Sequence, residues 1–302
     1  MECKFLGMTA FLCVLFLHSC DAGRTPASST DVQADDLVED TVWTDTLDAE
    51  EELLSLTGET HLDENFMDFL FSFARSRRLQ RERICFPLPR IGAAGDTVML
   101  SQTEWNPDFS WMEQDYYTIL YNSVEQIEEV KDSTPSQVQV EIYDLPSLAF
   151  TSYDFERRHG RWSLVEQKDQ FIQQSELSDF LVFYRHFSTD SLFQMSSIEQ
   201  PLHFSYLDPE DEMTVVDGTI DVNQWPTFCP EVPSGTLTNV RSGQTYHNPK
   251  RMVLQKCGQG NGLMEMFTFE KNGQRWMLTS YDSSAASYAG DLVLTFVCPF
   301  FS

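Results

Sequence analysis

The sequence predicts an α+β fold made of two tandem cone-like domains, each with an N-terminal helix packed on a curved antiparallel sheet. Two observations predict this class. Phenylalanines recur at helical spacing over 66–73 and again over 180–187, and each run is followed by segments with the two-residue period of β-strands. The two regions also match each other residue by residue, which indicates that the fold occurs twice.

The internal match keeps one offset, the 114 residues that separate Phe66 from Phe180. A chance similarity would align one short segment and then lose register, whereas this register runs from the first helix to the last hairpin. We therefore predict a duplication, with repeats at 65–172 and 175–302. The matched pairs include Phe69 with Phe183, Phe73 with Phe187, Gln80 with Gln194, Ile84 with Ile198, Pro87 with Pro201, Leu88 with Leu202, Trp111 with Trp225, Phe155 with Phe269 and Trp162 with Trp276.

Each repeat is expected to begin with an amphipathic helix whose Phe-rich face packs in the core. Asp63 or Asn65 is predicted to cap the first of these helices, and Ser178 the second. A short second helix should follow in each repeat, capped by Ser76 and by Asp190.

The period then changes to two, which predicts strands over 84–88 and 198–204, each interrupted by a proline. His159-Gly160 and Asn272-Gly273 are predicted to form the tight turns of the final hairpins. The other predicted strands are 97–101, 116–121, 138–143, 148–155, 161–167, 213–216, 252–255, 263–269, 275–280 and 292–297.

The helix, junction and first strand resemble a family of uncharacterised Bacteroidetes lipoproteins. The resemblance covers 65–168 well and 178–280 more loosely, where Ser197 replaces the family's Arg and Gln200 its Phe. It implies a nuclear-transport-factor-like, or cystatin-like, cone fold and no established activity. The residues that carry it are Phe66, Phe69, Phe73, Leu79, Gln80, Arg83, Ile84, Phe86, Pro87 and Leu88.

The first twenty residues are typical of a lipoprotein signal peptide. The apolar run over 5–17 has the length of a secretory segment and is too short to span a bilayer. Leu17-His-Ser-Cys20 resembles a bacterial lipobox, so Cys20 is predicted to carry the lipid; an ordinary cleaved signal peptide is the alternative. The expected location is the cell envelope, anchored to the outer membrane on its periplasmic or surface side.

Residues 21–64 are predicted to form an acidic, disordered tether. Thirteen acidic residues and no Lys or Arg lie between Asp31 and Glu64, in a chain of formal net charge −27. Such acidity argues against nucleic acid as a partner, because phosphate binding needs basic surface. The expected partners are the membrane, through the lipid, and an envelope protein or a glycan.

Four cysteines remain after the signal peptide and the anchor: Cys85, Cys229, Cys257 and Cys298. An envelope location permits disulfides, so at least one is expected, in the C-terminal half, with the pairing left open. The spacing contains no CxxC pair with partnered histidines, so no zinc site is predicted.

A cluster of arginines marks the first junction. These residues do not recur in the second repeat, so the fold does not require them. They are predicted to neutralise the acidic tether or, alternatively, to bind an anionic ligand. The five are Arg75, Arg77, Arg78, Arg81 and Arg83.

No pattern of catalytic residues stands out, and none is predicted, nor is any metal or cofactor. The histidines lack a carboxylate or nucleophile at recognisable spacing, with His159 at a turn and His203 on the outer side of a strand. The acidic groups at 208–212 and 217–223 lack the regular spacing of a calcium loop.

Two classes of function remain open. The favoured one is a lipid-anchored, non-enzymatic binding module. The alternative is a small-molecule hydrolase or isomerase that uses a pocket inside one of the cones. A deep pocket with two polar side chains in hydrogen-bond reach would favour the enzyme, and a shallow groove between the repeats filled with exposed aromatic side chains would favour binding.

Overall fold

In the computed structural model, the described residues are 62–284, except 107–108, 132, 209–210, 229 and 260–261. The predicted signal peptide, Cys20, the tether up to residue 61 and the predicted strand at 292–297 lie outside them. We refer to residues 62–174 as the first half and to residues 175–284 as the second half.

Two helices and six strands follow each other in the same order in both halves, whereas one further helix lies after the third strand of the first half and another before the third strand of the second. The helices are α1 Phe66–Arg75, α2 Arg77–Arg83, α3 Glu125–Lys131, α4 Ser178–Thr189, α5 Ser191–Ser196 and α6 Trp225–Phe228. The strands are β1 Leu88–Ile91, β2 Thr97–Leu100, β3 Tyr116–Tyr121, β4 Gln137–Asp144, β5 Ala149–Arg158, β6 Arg161–Phe171, β7 Ile198–Asp208, β8 Asp211–Ile220, β9 Thr236–Arg241, β10 Arg251–Gly258, β11 Met264–Asn272 and β12 Arg275–Asp282.

The helices α1, α2 and α5 begin where a local side chain bonds the free backbone N–H groups. Asn65 caps α1 by accepting from the Met67 N–H at 2.8 Å. The predicted caps of the second helices are confirmed, with Ser76 accepting from the Leu79 N–H and Asp190 from two N–H groups of α5. Ser178 is the first residue of α4 rather than its cap, so that prediction was wrong by one residue.

The strands form two six-stranded sheets, which confirms the α+β class. The first sheet has the order β2-β1-β6-β5-β4-β9 and the second the order β8-β7-β12-β11-β10-β3. Within each, the pairs β1–β6 and β7–β12 are parallel and the other pairs are antiparallel. Each sheet therefore takes its last strand from the other half, which the expectation of one sheet per repeat did not include.

The exchanged strands β3 and β9 cross at a pair of buried threonines. The Thr118 Oγ1 donates to the Thr238 carbonyl at 2.7 Å and accepts the Thr238 N–H at 2.9 Å. In return the Thr238 Oγ1 donates to the Thr118 carbonyl at 2.8 Å and accepts the Thr118 N–H at 2.7 Å. Four reciprocal hydrogen bonds thus join the two halves at one point.

The residue offset between the halves changes along the chain. It is 114 at Gln80 and Gln194, but Trp105 and Trp225, whose indoles donate to those two glutamines, are 120 residues apart, as are the crossing threonines. Trp225 therefore corresponds to Trp105 and not to Trp111. Residues 242–250 connect β9 to β10, and residues 122–136 connect β3 to β4. The connection in the second half is the shorter one, and this returns the offset to 114.

Aromatic side chains fill the inner face of each sheet. Phe155 lies at 5.4–5.8 Å, ring to ring, from Phe66, Phe69 and Phe73 of α1, each in an edge-on contact. In the second half Phe269 contacts four rings of α4 in the same way: Phe180, Phe183, Tyr184 and Phe187. The Phe-rich helix faces predicted from spacing are thus the cores, and each fully buried ring stabilises the fold by about 3–5 kcal/mol relative to alanine.

The predicted strands within the described residues are present, most of them longer than expected. β1 starts at Leu88, while Ile84 makes an isolated bridge with Leu164. His159 and Gly160 both have positive φ, as a type I′ turn requires. The second hairpin turns at Gly273 and Gln274, one residue later than predicted, with positive φ at Gly273.

We predict that Thr118→Val lowers the free energy of unfolding by about 2–4 kcal/mol, because it leaves the buried Thr238 N–H and carbonyl without partners. Equilibrium unfolding in urea measures the change. Thr97→Val, at an exposed position of β2, is the matched control and should change stability by less than about 0.5 kcal/mol. Equal effects of the two substitutions would show that the crossing is not a structural constraint.

Candidate functional site

A groove of about 590 Å³ lies where β9 joins the first sheet. Gln139 and Asp154 line it, and they alternate with core residues such as Val140 and Tyr153. Because successive side chains of a strand point to opposite faces, the groove opens on the face opposite α1. Its polar lining comprises Gln137, Gln139, Asp154, Glu156, Glu166, Arg241 and Gln244.

Both halves of the chain build this groove. β4, β5 and β6 supply its floor, and the end of β9 with the following turn supplies one wall. Gln244 fixes that turn by accepting from the Ser242 N–H at 2.6 Å and donating to the Val240 carbonyl. Gly243 has φ of 134°, a conformation that side chains rarely adopt.

The groove carries more negative than positive charge. Asp154, Glu156 and Glu166 line it with one guanidinium, that of Arg241, and Glu156 also pairs with Arg158 outside the lining. Arg241 also contacts Glu141 at 3.4 Å and Glu176 at 2.6 Å, outside the groove lining. Its charge is therefore largely balanced by those partners, and the remaining carboxylates favour a ligand that is neutral or cationic.

A buried carboxylate network lies beside the groove. Glu141 is 3% exposed and accepts from the Tyr143 hydroxyl and the Asn239 side-chain amide, both at 2.8 Å. Burial raises the pKa of Glu141, while Arg241 and these hydrogen bonds oppose the rise. Burial and the Glu141 charge raise the pKa of Tyr143 well above its ordinary value, so Tyr143 stays a donor. The network connects β4 to β9 and positions Arg241.

A second buried polar cluster lies on the inner face of the second sheet. Lys256 Nζ contacts Glu265 Oε2 at 2.9 Å, donates to the Glu231 carbonyl at 3.0 Å and lies 4.9 Å from the centre of the Tyr116 ring. The Tyr281 hydroxyl donates to Glu265, and burial, followed by Glu265, raises the pKa of Tyr281. Such an arrangement holds a carboxylate and an amine in a low-dielectric site.

Sequence reasoning missed the cluster of Lys256, Glu265 and Tyr281. The signal was present, because Lys256 follows Met252 and Leu254, and Glu265 precedes Phe267 and Phe269, at the alternate positions that otherwise carry apolar side chains. The two residues pair directly across β10 and β11. At the matched offset of 114, the first half has Ile142, Thr151 and Gln167. The fold therefore does not require charges at these positions.

The structure separates Arg83 from the other predicted arginines. Arg83 is 2% exposed and forms a bidentate pair with Asp63, at 2.8 and 2.9 Å, while donating to the Trp162 carbonyl at 3.1 Å. This buried pair engages the Arg83 guanidinium, and the roles predicted for the five arginines stay predictions. Asp63, which the sequence analysis placed in the tether, is part of the folded structure. The side chains of Arg75, Arg77, Arg78 and Arg81 are exposed on α1 and α2.

The second half stabilises the corresponding place without an arginine at the position that matches Arg83. Asp179 accepts from the Trp276 indole N–H at 2.8 Å and from Lys271 Nζ at 2.7 Å. Arg275 donates to the Ser196 carbonyl, next to Ser197, which occupies the position that matches Arg83. This difference explains why the arginine does not recur.

The described cysteines form no disulfide. Cys85 is an exposed thiol and Cys257 a buried one, and burial raises the pKa of the Cys257 thiol to about 12. Cys229 and Cys298 lie outside the described residues, so the disulfide expected in the C-terminal half stays a prediction, with its pairing open.

The predicted non-catalytic histidines lie apart from both clusters. His159 occupies a turn, and His186, His203 and His247 are exposed. Within residues 62–284, less the gaps given above, no three His, Cys, Asp or Glu side chains gather as metal ligands. No helix in that part of the chain is long and apolar enough to cross a bilayer.

We predict that Arg83→Ser, which introduces the residue found at position 197, lowers the free energy of unfolding at pH 7 by about 3–5 kcal/mol, because it leaves a buried carboxylate unpaired. Arg81→Ser, at an exposed position two residues away, should cost less than about 0.5 kcal/mol. Urea unfolding of both variants measures the difference.

The loss of stability caused by Arg83→Ser should depend on pH. Burial alone raises the pKa of Asp63, but hydrogen bonds from Arg83 and the Trp162 N–H, with the Arg83 charge, lower it below the ordinary value of 3.8. The stabilisation is therefore present above pH 3.8 and is lost as the pH falls through the lowered pKa. A cost of Arg83→Ser that stays constant down to pH 2 would contradict this assignment.

Comparisons with known proteins place the chain in a family. A crystal structure of an NTF2-like protein from Bacteroides fragilis NCTC 9343 matches with a TM-score of 0.68 and 34% sequence identity, over 74% of this chain and 97% of the other. Curated proteins yield no significant match. The model of a domain of unknown function, DUF4348, matches residues 46–283. The chain therefore belongs to the DUF4348 family and shares the fold of an NTF2-like protein.

Proposed function

We propose that the protein is a non-enzymatic binding module, and that its groove takes a polar ligand without anionic groups, such as a glycan. The observation that carries this proposal is the groove itself, with its amide and carboxylate lining from β4, β5, β6 and the turn after β9. Amides and carboxylates offer many hydrogen bonds to hydroxyl groups, and the carboxylates disfavour anions.

The packing of aromatic side chains on the inner faces of the two sheets supports a binding function over a catalytic one. α1 and α4 press aromatic rings onto the inner faces, where a cone pocket would lie. The alternative function, a small-molecule hydrolase or isomerase, rests on the cluster of Lys256, Glu265 and Tyr281, whose amine and carboxylate could act as acid and base. Their polar groups are bonded to one another and to the Glu231 carbonyl, which supports a structural role.

We also propose that the chain is a duplicated NTF2-like unit from a Bacteroidetes lipoprotein. The common order of two helices and six strands, the shared sheet order and the reciprocal threonine crossing support the duplication. The relative from Bacteroides fragilis supports the origin. The two copies are one structural unit, since neither sheet is complete without a strand from the other.

The location that we propose is the cell envelope, with Cys20 carrying the lipid and the acidic segment after it acting as a spacer. The lipobox-like residues 17–20 support it. A mature protein without fatty acid on Cys20, by mass spectrometry, would exclude the anchor. The exposed arginines of α1 and α2 are suited to contact the acidic segment, and an Arg77→Ser, Arg78→Ser, Arg81→Ser variant with unchanged small-angle scattering would exclude that contact.

We predict that the chain from Leu62 onward binds members of an array of neutral and amino-sugar glycans. Asp154→Ala with Glu166→Ala should weaken the binding at least tenfold, because each hydrogen bond to a charged group contributes about 1.5–3 kcal/mol. Calorimetric titration with the array's best glycan measures the loss.

Glu199→Ala, at an exposed site on β7, is the matched control for that double variant and should bind normally. Unchanged binding by the groove variant would place the ligand elsewhere. Absence of any glycan or envelope partner, together with turnover of a small substrate that Lys256→Met abolishes, would favour the enzyme instead.

A further inference from the structure

The groove lies at a place that a helix covers in the second half. On the outer face of the second sheet, Ile127 and Val130 of α3 pack against three buried side chains. These are Tyr121, Val253 and Met266. The connection 122–136 supplies this helix, whereas its counterpart 242–250, described throughout, contains none. The corresponding place on the first sheet is therefore open.

Residues of the groove floor occupy the positions of those covered residues. Val253 pairs with Tyr121 across β10 and β3, and Gln139 pairs with Arg241 across β4 and β9. Ser152 takes the position of the third covered residue, at the offset of 114. It is 1% exposed, and its hydroxyl has no hydrogen-bond partner among the described residues. The outer face thus accepts a helix at this place, and in the first half it keeps an unused hydrogen-bonding group there.

The carboxylates of the groove belong to the first half alone. Asp154 and Glu166 pair directly across β5 and β6, and like charges in such a pair repel each other. At the matched positions the second half has Thr268 and Ser280. The fold therefore does not require these carboxylates, and a positively charged occupant would remove their repulsion.

A positively charged helical surface is also confined to the first half. We call it the arginine patch, and it consists of the exposed residues Arg75, Arg77, Arg78 and Arg81. Within the described part of the chain, its ionic contact is that of Arg78 with Glu82, at 4.0 Å. The matched residues of the second half are uncharged: Thr189, Ser191, Leu192 and Met195. α2, which carries most of the patch, has seven residues, as α3 has, so its length is that of the helix which the outer face accepts.

We propose that the arginine patch of one copy docks in the groove of a second copy, with its guanidinium groups beside Asp154 and Glu166. Within one copy the first sheet lies between α1, on its inner face, and the groove, on its outer face. The contact joins two different surfaces, so it links copies head to tail. It uses the groove but does not rest on the proposed glycan, which competes with the second copy for the groove. The acidic segment competes with it for the arginines.

Sedimentation velocity of the chain from Asp21 to Ser302 tests the contact. At about 0.15 M salt the sedimentation coefficient should rise with protein concentration, and at about 1 M salt, where charges are screened within about 3 Å, the rise should be lost. Arg77→Glu, Arg78→Glu, Arg81→Glu should weaken the association at least tenfold, and so should Asp154→Lys with Glu166→Lys. An equimolar mixture of these two variants should associate again, because each mixed contact joins an acidic surface to a basic one.

Asp154→Thr with Glu166→Ser installs the residues of the second half and should weaken the association in the same direction; it serves if the lysine variant does not fold. Lys250→Glu and Glu199→Lys, at exposed positions of the second half, are the matched controls and should leave the association unchanged.

A chain that stays monomeric at every concentration would overturn the proposal. Association that neither the patch nor the groove variant weakens would also overturn it, as would a mixture of the two that stays monomeric. Association that follows the expected pattern supports the contact even where no glycan binds, so this proposal and the proposed function fail separately.

Discussion

The crossing of β3 and β9 is the constraint on which the rest of the structure depends. The hydroxyl groups of Thr118 and Thr238 each act as donor and acceptor. They thereby bond two buried backbone N–H groups and two carbonyls that have no partner strand on that side. Leu120 N–H donates to the Asn239 side chain one step further along. A buried unpaired backbone group costs about 1–3 kcal/mol, so the strands are stable where they cross with Thr118 opposite Thr238. This register determines which strand completes each sheet.

The strand exchange also creates the surface that we associate with function. Arg241 and the turn after it belong to the second half but form a wall on the first sheet. Glu141, buried on β4, holds Arg241 and Asn239 in place, so the groove is tied to the crossing by a continuous set of hydrogen bonds. The aromatic residues of α1 and α4 fill the inner faces of both sheets. The proposed binding groove therefore lies on the outer face of the first sheet.

Local signals made much of this fold predictable. The caps Asn65, Ser76 and Asp190, the Phe spacing and the turn at His159-Gly160 act within a few residues, and they lie where the sequence indicated. The strand exchange could not be predicted, because the side-chain pattern of β3 is the same whichever sheet it joins. The bidentate pair of Arg83 with Asp63 joins residues that sequence spacing does not relate, so Arg83 looked like its exposed neighbours. At the site, none of the groove residues stood out, since polar residues on the outer face of a strand are the ordinary pattern.

Native-state hydrogen exchange across the whole chain tests the central claim most directly. If the crossing makes the two sheets one cooperative unit, the slowest amides of β5 in the first half and of β11 in the second should have the same free energy of opening. Thr118→Val should lower that free energy by the same amount in both strands. A second sheet that keeps its protection while the first exchanges, or a Thr118→Val effect confined to one sheet, would contradict the account.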